Sequence, residues 1–121
     1  LIFSDIWHAD HNLIEGATSK VDGLRNTKAM AAAGSPIAQR VTEINLHGLS
    51  DFYIPSPQEH DVIDAAMRAA GSEPGTNSRY WTSMQTAQGA AAFHDYQTGG
   101  QGFENIREPM NVLPIRRELV S

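Results

Sequence analysis

Between Asp51 and Gly71 the chain reads DFYIPSPQEHDVIDAAMRAAG, and the segment Ser56-Pro57-Gln58-Glu59 leaves its backbone few choices. Ser-x-x-Glu is a capping box: the serine oxygen accepts from a free N–H of the first helical turn, and the glutamate accepts from the N-cap N–H. Pro57 suits the first helical position, where its missing N–H would have had no intrahelical partner. A helix is therefore expected from Pro57 to a stop at Gly71. Asp61 lies where the helix dipole favours a carboxylate by about 0.3–1 kcal/mol, and His60 is a first-turn neighbour with no assigned chemistry. Val62, Ile63, Ala66, Met67 and Ala70 read as the buried stripe. Helix initiation thus explains a Glu-His-Asp run that resembles a metal or acid/base cluster.

Elsewhere the local signals divide the chain in two. LIFSDIW, residues 1–7, suits a short strand, and HADHNLIEGATSK after it a loop. Asp22 is placed to cap a helix ending at Gly34, and Ser35 to cap another that has Pro36 at its first position and Ile37, Val41 and Ile44 on one face. DFYI reads as a brief strand before the Pro55 corner. Beyond the loop SEPGTNS, the segments RYWTSM, AAAFHDYQ, GFENI and NVLPIRREL read as strands, with TGGQG as a hairpin turn and Pro114 marking an edge or bulge. Short helices in the N-terminal half and an antiparallel β meander in the C-terminal half make an α+β domain.

At 121 residues and 40% hydrophobic content, the chain fits one domain, residues 1–121, around one core. Starting at Leu1 rather than methionine, it reads as part of a longer protein. A net charge of −5, from 9 basic and 14 acidic residues, argues against a nucleic-acid binder that depends on phosphate neutralisation. Arg116 and Arg117 are the only basic neighbours, and they read as a solvated strand end. With no cysteine, disulfides, thiolate zinc sites and cysteine nucleophiles are excluded. Apolar runs such as GAAAF are too short for membrane insertion.

Four ordered blocks carry a resemblance. DFYIPSPQE (51–59), YWTSM (80–84), Ala92-Phe93 with Tyr96 and Gly99, and VLPIR (112–116) are similar to the D-W-Y-L-P-S-x-x-E-L, Y-W-S-S-T, A-W…F-x-x-G and V-R-P-V-R blocks of the Lcl carboxyl-terminal domain family. Phe52, Met84 and Leu113 depart from that pattern. The segments DGLRNTKAM and AGSP look most like the forms found in tailed-phage proteins. The resemblance implies a C-type-lectin-like fold and a binding or adhesion module rather than an enzyme, displayed on virions or bacterial surfaces, with trimers as the family habit. The related formylglycine-generating enzymes need cysteines that this chain lacks. Calcium-dependent sugar binding is disfavoured, since Glu108-Pro-Met-Asn111 only approximates the Glu-Pro-Asn signature and Trp-Asn-Asp is missing. No cofactor is expected.

Individual candidates remain. His8, Asp10 and His11 could converge on a metal, but a polar surface loop is the plainer reading because no further ligand lies nearby in sequence. His94 and Asp95 occupy opposite faces of a strand and cannot pair, and His94 shares its side with Ala92 and Tyr96. TGGQG lacks the features of a phosphate loop. Tyr80 and Trp81 suit core packing better than sugar stacking. Contacts to a host-surface glycan or protein, or to neighbouring virion subunits, are assigned to Gln85, Gln88, Gln101, Phe103, Asn105, Arg107 and Glu108, each of which also suits an ordinary solvated loop.

Overall fold

The computed structural model describes residues 2–10, 13–46, 48–71 and 78–116. Within them the order is β1 (Phe3–Asp5), α1 (Gly23–Ala32), α2 (Pro36–Thr42), α3 (Pro57–Ala69), β2 (Arg79–Ala87), β3 (Ala90–Asp95), β4 (Gln101–Asn105) and β5 (Met110–Val112). Three helices thus accompany one curled five-stranded sheet of order β1-β5-β2-β3-β4. Strands β2, β3 and β4 form an antiparallel meander. β5 does not extend it: the chain crosses back and inserts β5 beside β2, parallel to it at Tyr80 and Asn111, and antiparallel to β1. β4 is therefore an edge.

The core explains that crossing. Trp7 and Trp81 are fully buried and pack with Met30, Ile37, Val41, Ile54, Ile106 and Val112. Each indole N–H, costly to bury unpaired, donates to backbone near the other ring: Trp7 Nε1 to the Thr82 carbonyl at 2.9 Å and Trp81 Nε1 to the Asp5 carbonyl at 3.2 Å. The first segment is thereby tied to β2. α1 turns Gly23, Asn26, Thr27 and Met30 inward, the i, i+3, i+4, i+7 spacing of one helix face. Its buried polar groups are matched: Asn26 Nδ2 donates to the Ser19 carbonyl, and Thr27 Oγ1 accepts from the Ile54 N–H at 2.9 Å.

The capping box forms as the sequence requires, and Glu59 does more than close it. Its carboxylate accepts from the Ser56 N–H at 3.1 Å, from the Gly23 N–H at 2.8 Å and from the Tyr53 hydroxyl at 2.5 Å. Burial works to raise its pKa, but these donors outweigh burial and hold it below the usual glutamate value. One side chain thus joins the start of α1, the 53–56 segment and the start of α3. Glu59→Ala is expected to cost about 2 kcal/mol or more, since hydrogen bonds to charged groups contribute roughly 1.5–3 kcal/mol. The test is the urea midpoint, read at constant m-value.

Several expectations are corrected. The stripe assigned to the buried side of α3 faces outward: Val62 is 65% and Met67 38% exposed, Ala66 and Ala70 are exposed and Ile63 is half-buried. α3 buries Pro57, His60 and Asp64 instead, because the surface it meets on β3 is polar. DFYI contributes only a single bridge, between Tyr53 and Ile115. Ser35 precedes α2, but its hydroxyl donates to the Trp7 carbonyl rather than capping the helix. Ile44 lies beyond the end of α2, and the first strand shortens to Phe3–Asp5. Most of SEPGTNS, together with His11 and Arg117, lies outside the described residues, while Arg116 pairs with Asp51 at 2.8 Å. Among the described residues no helix is long and apolar enough to cross a membrane.

Candidate functional site

Pairing of β3 with β4 decides which residues can share a surface. His94 stands beside Gln101, Ala92 beside Phe103, and Ala90 beside Asn105, and laterally paired residues lie on the same face. α3 covers one end of that face. Gln101 Nε2 donates to the Pro57 carbonyl at the start of α3 at 2.8 Å, and Arg68 near its other end donates to the Tyr96 carbonyl at 2.9 Å. The helix therefore runs from Gln101 toward the turn after β3, away from Phe103. Phe103 is left 72% exposed on an edge strand.

The open end of β4 meets the β2–β3 turn. The Ile106 N–H donates to the Gly89 carbonyl at 3.1 Å, bringing Gln88 close to the segment that follows β4. There the Asn105 side chain accepts from the Arg107 N–H at 2.9 Å, and the Glu108 N–H donates to the Asn105 carbonyl. The Arg107 guanidinium donates to the Ala9 carbonyl at 3.0 Å, which fixes its position against the N-terminal loop. Gln88, Asn105, Arg107 and Glu108 are all exposed. An aromatic ring, two amides, a guanidinium and a carboxylate thus occupy one side of the molecule, a set able to pair with sugar hydroxyls or a polar protein surface.

One predicted contact belongs elsewhere. Gln85 is only 4% exposed, and its side-chain oxygen accepts from the Ile14 N–H at 2.7 Å. It fails as a ligand contact because that loop has taken it into the interior. Gln101 is exposed at the α3 end of β4, two residues from Phe103, with its amide nitrogen engaged by the Pro57 carbonyl, Asp61 and His94. Tyr80 is half-buried, and Trp81 belongs to the core.

Beneath α3 lies a polar cluster that the sequence reading did not assemble. His60 and His94 are both fully buried and stack with ring centroids 5.6 Å apart and 7° between planes. His60 Nε2 lies 3.0 Å from the Trp81 carbonyl, which can only accept, so Nε2 carries the proton. Nδ1 of the neutral ring then accepts from the Tyr96 hydroxyl at 2.5 Å. By the same logic His94 Nε2 donates to Asp64 at 2.6 Å and Nδ1 accepts from Gln101 at 3.0 Å. Arg68 Nε donates to the other oxygen of Asp64 at 2.6 Å.

Burial drives the His60 pKa down to about 4, the Trp81 carbonyl working against that and nearby His94 adding to it. Burial pushes the Tyr96 phenol up. For Asp64, burial works upward, but hydrogen bonds from His94 and Arg68 hold it below the usual carboxylate value. The one sequence signal for this cluster was the pair His60 and Asp64, four apart on α3, with His94 on β3 and Tyr96 two residues on, just past its end. The apolar residues interleaved between the first pair masked it.

The HADH segment does not gather ligands in the described part of the chain: His8 is buried and Asp10 exposed. Asn111 is largely buried in β5, while Glu108 is exposed in the turn before it. Among the described residues no group of three or more histidine or carboxylate side chains is arranged to hold a metal ion. No protein family matches the chain, and no curated protein is significantly similar to it.

Proposed function

We propose that this chain is a non-enzymatic surface-binding module with a C-type-lectin-like fold, belonging to a phage tail or bacterial surface assembly. It recognises a glycan or protein receptor through the open side of β4, and acts at the virion or extracellular surface. The observation that carries this reading is Phe103, 72% exposed on an edge strand that leads directly into the exposed Asn105, Arg107 and Glu108. Aromatic side chains and arginines are the residue types that most often anchor interfaces, with polar groups at the rim. The non-enzymatic part is supported by the titratable cluster under α3, whose two imidazoles are wholly buried and engaged with one another's neighbours, out of reach of a substrate.

Binding of the domain to a glycan array and to whole bacterial cells tests the reading. Phe103→Ala combined with Arg107→Ala should weaken binding at least about tenfold, the loss of one interface anchor. Phe103→Ala alone should leave stability within about 0.5 kcal/mol, as an exposed substitution does. Failure of the unmodified domain to bind any of these surfaces would count against it. An unpaired strand edge suits subunit packing equally well, which favours a second reading as a structural virion component, a decoration or tail subunit. That reading predicts Phe103 buried between copies in the assembled particle and no receptor binding.

A further inference from the structure

Given the receptor side proposed above, on which this step rests, we infer that the ligand is a neutral oligosaccharide, with one sugar ring stacked on Phe103 between Gln101 Oε1 and Asn105 Nδ2. Gln101, Phe103 and Asn105 alternate along β4 and are all exposed. Their side chains therefore leave one face of the strand, at a spacing of about 7 Å along it. The β3 residues beside them are His94, Ala92 and Ala90. His94 is buried under α3 and the alanines are short, so the Phe103 ring stands above its surroundings. Each flanking amide is held by one half and offers the other. Gln101 Nε2 donates to the Pro57 carbonyl at 2.8 Å and to His94 Nδ1 at 3.0 Å, which occupies both its hydrogens. Its Oε1 has no partner among the described residues and is an acceptor. Asn105 Oδ1 accepts from the Arg107 N–H at 2.9 Å, which leaves Nδ2 as a donor. An acceptor and a donor thus flank an aromatic ring, already ordered by their own bonds, which lowers the cost of binding. A pyranose fits this set: its C–H groups meet the electron-rich ring face, and its hydroxyls both donate and accept.

Backbone and charge disfavour the other occupants. The Asp95 N–H donates to the Gly100 carbonyl and the Ile106 N–H to the Gly89 carbonyl. Antiparallel alternation then turns the backbone groups of Gln101, Phe103 and Asn105 away from β3. Those of Asn105 are already taken, its N–H by the Glu104 carboxylate and its carbonyl by the Glu108 N–H. Only Gln101 and Phe103 keep an open backbone edge, a window too short for an added peptide strand, which usually runs about 5–6 residues. Charge then separates neutral from acidic sugars. Asp61, with its side chain 58% exposed, lies beside Gln101, and Glu104 and Glu108 adjoin Asn105. The Arg107 guanidinium is engaged by the Ala9 carbonyl. Carboxylates on both sides of Phe103 repel a uronate or a sulfate.

The test titrates trisaccharides of glucose, galactose, mannose and N-acetylglucosamine, with glucuronate and sulfated counterparts, into the isotope-labelled chain and follows its amide resonances. A neutral trisaccharide should shift the Asn105 side-chain amide and the backbone amides of 101–105, and the acidic ones should bind at least about tenfold more weakly. Phe103→Leu keeps apolar bulk but removes the flat ring, and should weaken binding about tenfold; a protein surface seeking apolar area would tolerate it. Asn105→Ala removes the donor and should cost about fivefold, the usual worth of one hydrogen bond. Both positions are exposed, so neither change should disturb the fold. No binding by any neutral sugar, a preference for acidic ones, or indifference to Phe103→Leu would each overturn the inference. Attachment to bacterial cells that persists without sugar binding, survives periodate oxidation and is lost in Phe103→Ala would point to a protein ligand and leave the receptor reading standing. Absence of both sugar binding and cell attachment would overturn that reading as well.

Discussion

Acidification from about pH 7 to about pH 4 is expected to destabilise the fold by up to about 3 kcal/mol through His60 alone. The ring is buried and neutral in the folded chain, and its pKa falls from 6.5 to about 4 because burial disfavours the imidazolium. In the unfolded chain the same ring takes up a proton near its ordinary value. Between the two values the unfolded state binds more protons, so stability rises with pH. The contribution is complete above the ordinary histidine value, falls as pH drops toward about 4, and changes no further once the folded ring also protonates.

Asp64 acts with the same sign at lower pH. Its pKa is held below the usual carboxylate value, so its contribution is present above that value and is lost as pH falls through the folded one. Urea midpoints measured across this range should decline in the unmodified protein and change much less in His60→Phe. That variant starts less stable at neutral pH, because the Trp81 carbonyl and the Tyr96 hydroxyl lose their partner. An undiminished pH slope in His60→Phe would show that the buried imidazole is not the group responsible.

Gly23→Ala is expected to cost about 3 kcal/mol or more, at the upper end for overpacking. A Cβ there would lie 2.5 Å from the Ile54 carbonyl oxygen and 2.7 Å from the Ser56 nitrogen, both backbone atoms, and 2.5 Å from Glu59 Oε1. The side chain could swing away, but the backbone could not without separating α1 from the 54–56 segment. The Gly23 N–H bond to Glu59 would be lost with it. Gly34→Ala is the matched control, since no atom lies within 4 Å of the added carbon although φ is +93°. Its cost should be only about 1–2 kcal/mol, the conformational penalty of the left-handed region. Denaturation midpoints of the two variants separate close approach from backbone strain, and equal losses would refute the close-approach argument.

What could be read from residues alone followed the range of the interactions involved. The Asp22 cap, the Ser56–Glu59 box and the glycine stop at Gly34 depend on neighbours within one turn, and each forms. The β2–β3–β4 meander depends on tight turns whose glycines mark them. Orientation of α3 depends on what it meets, and periodicity pointed its apolar side inward while His94, Tyr96 and Gln101 on the sheet demanded the other. Gln85 was misplaced for a similar reason: its amide is drawn in by the Ile14 N–H, a partner 71 residues away. The return of β5 to lie between β1 and β2 left no local mark at all. Of the proposed contacts, those on the open end of β4 and the turn beside it share one side of the molecule.

That returning strand also governs when the fold can be completed. β1, near the beginning, has β5 as its partner, with Phe3 opposite Val112, and β5 separates it from β2. The early helices and the β2–β3–β4 meander can assemble from neighbouring segments, but the position between β1 and β2 stays vacant until residues 110–112 have emerged from the ribosome. Loop-closure entropy of that kind slows folding toward the millisecond-to-second range typical of non-local topologies. During synthesis the open flank of β2 is an unpaired edge, the place where premature association or chaperone capture would begin.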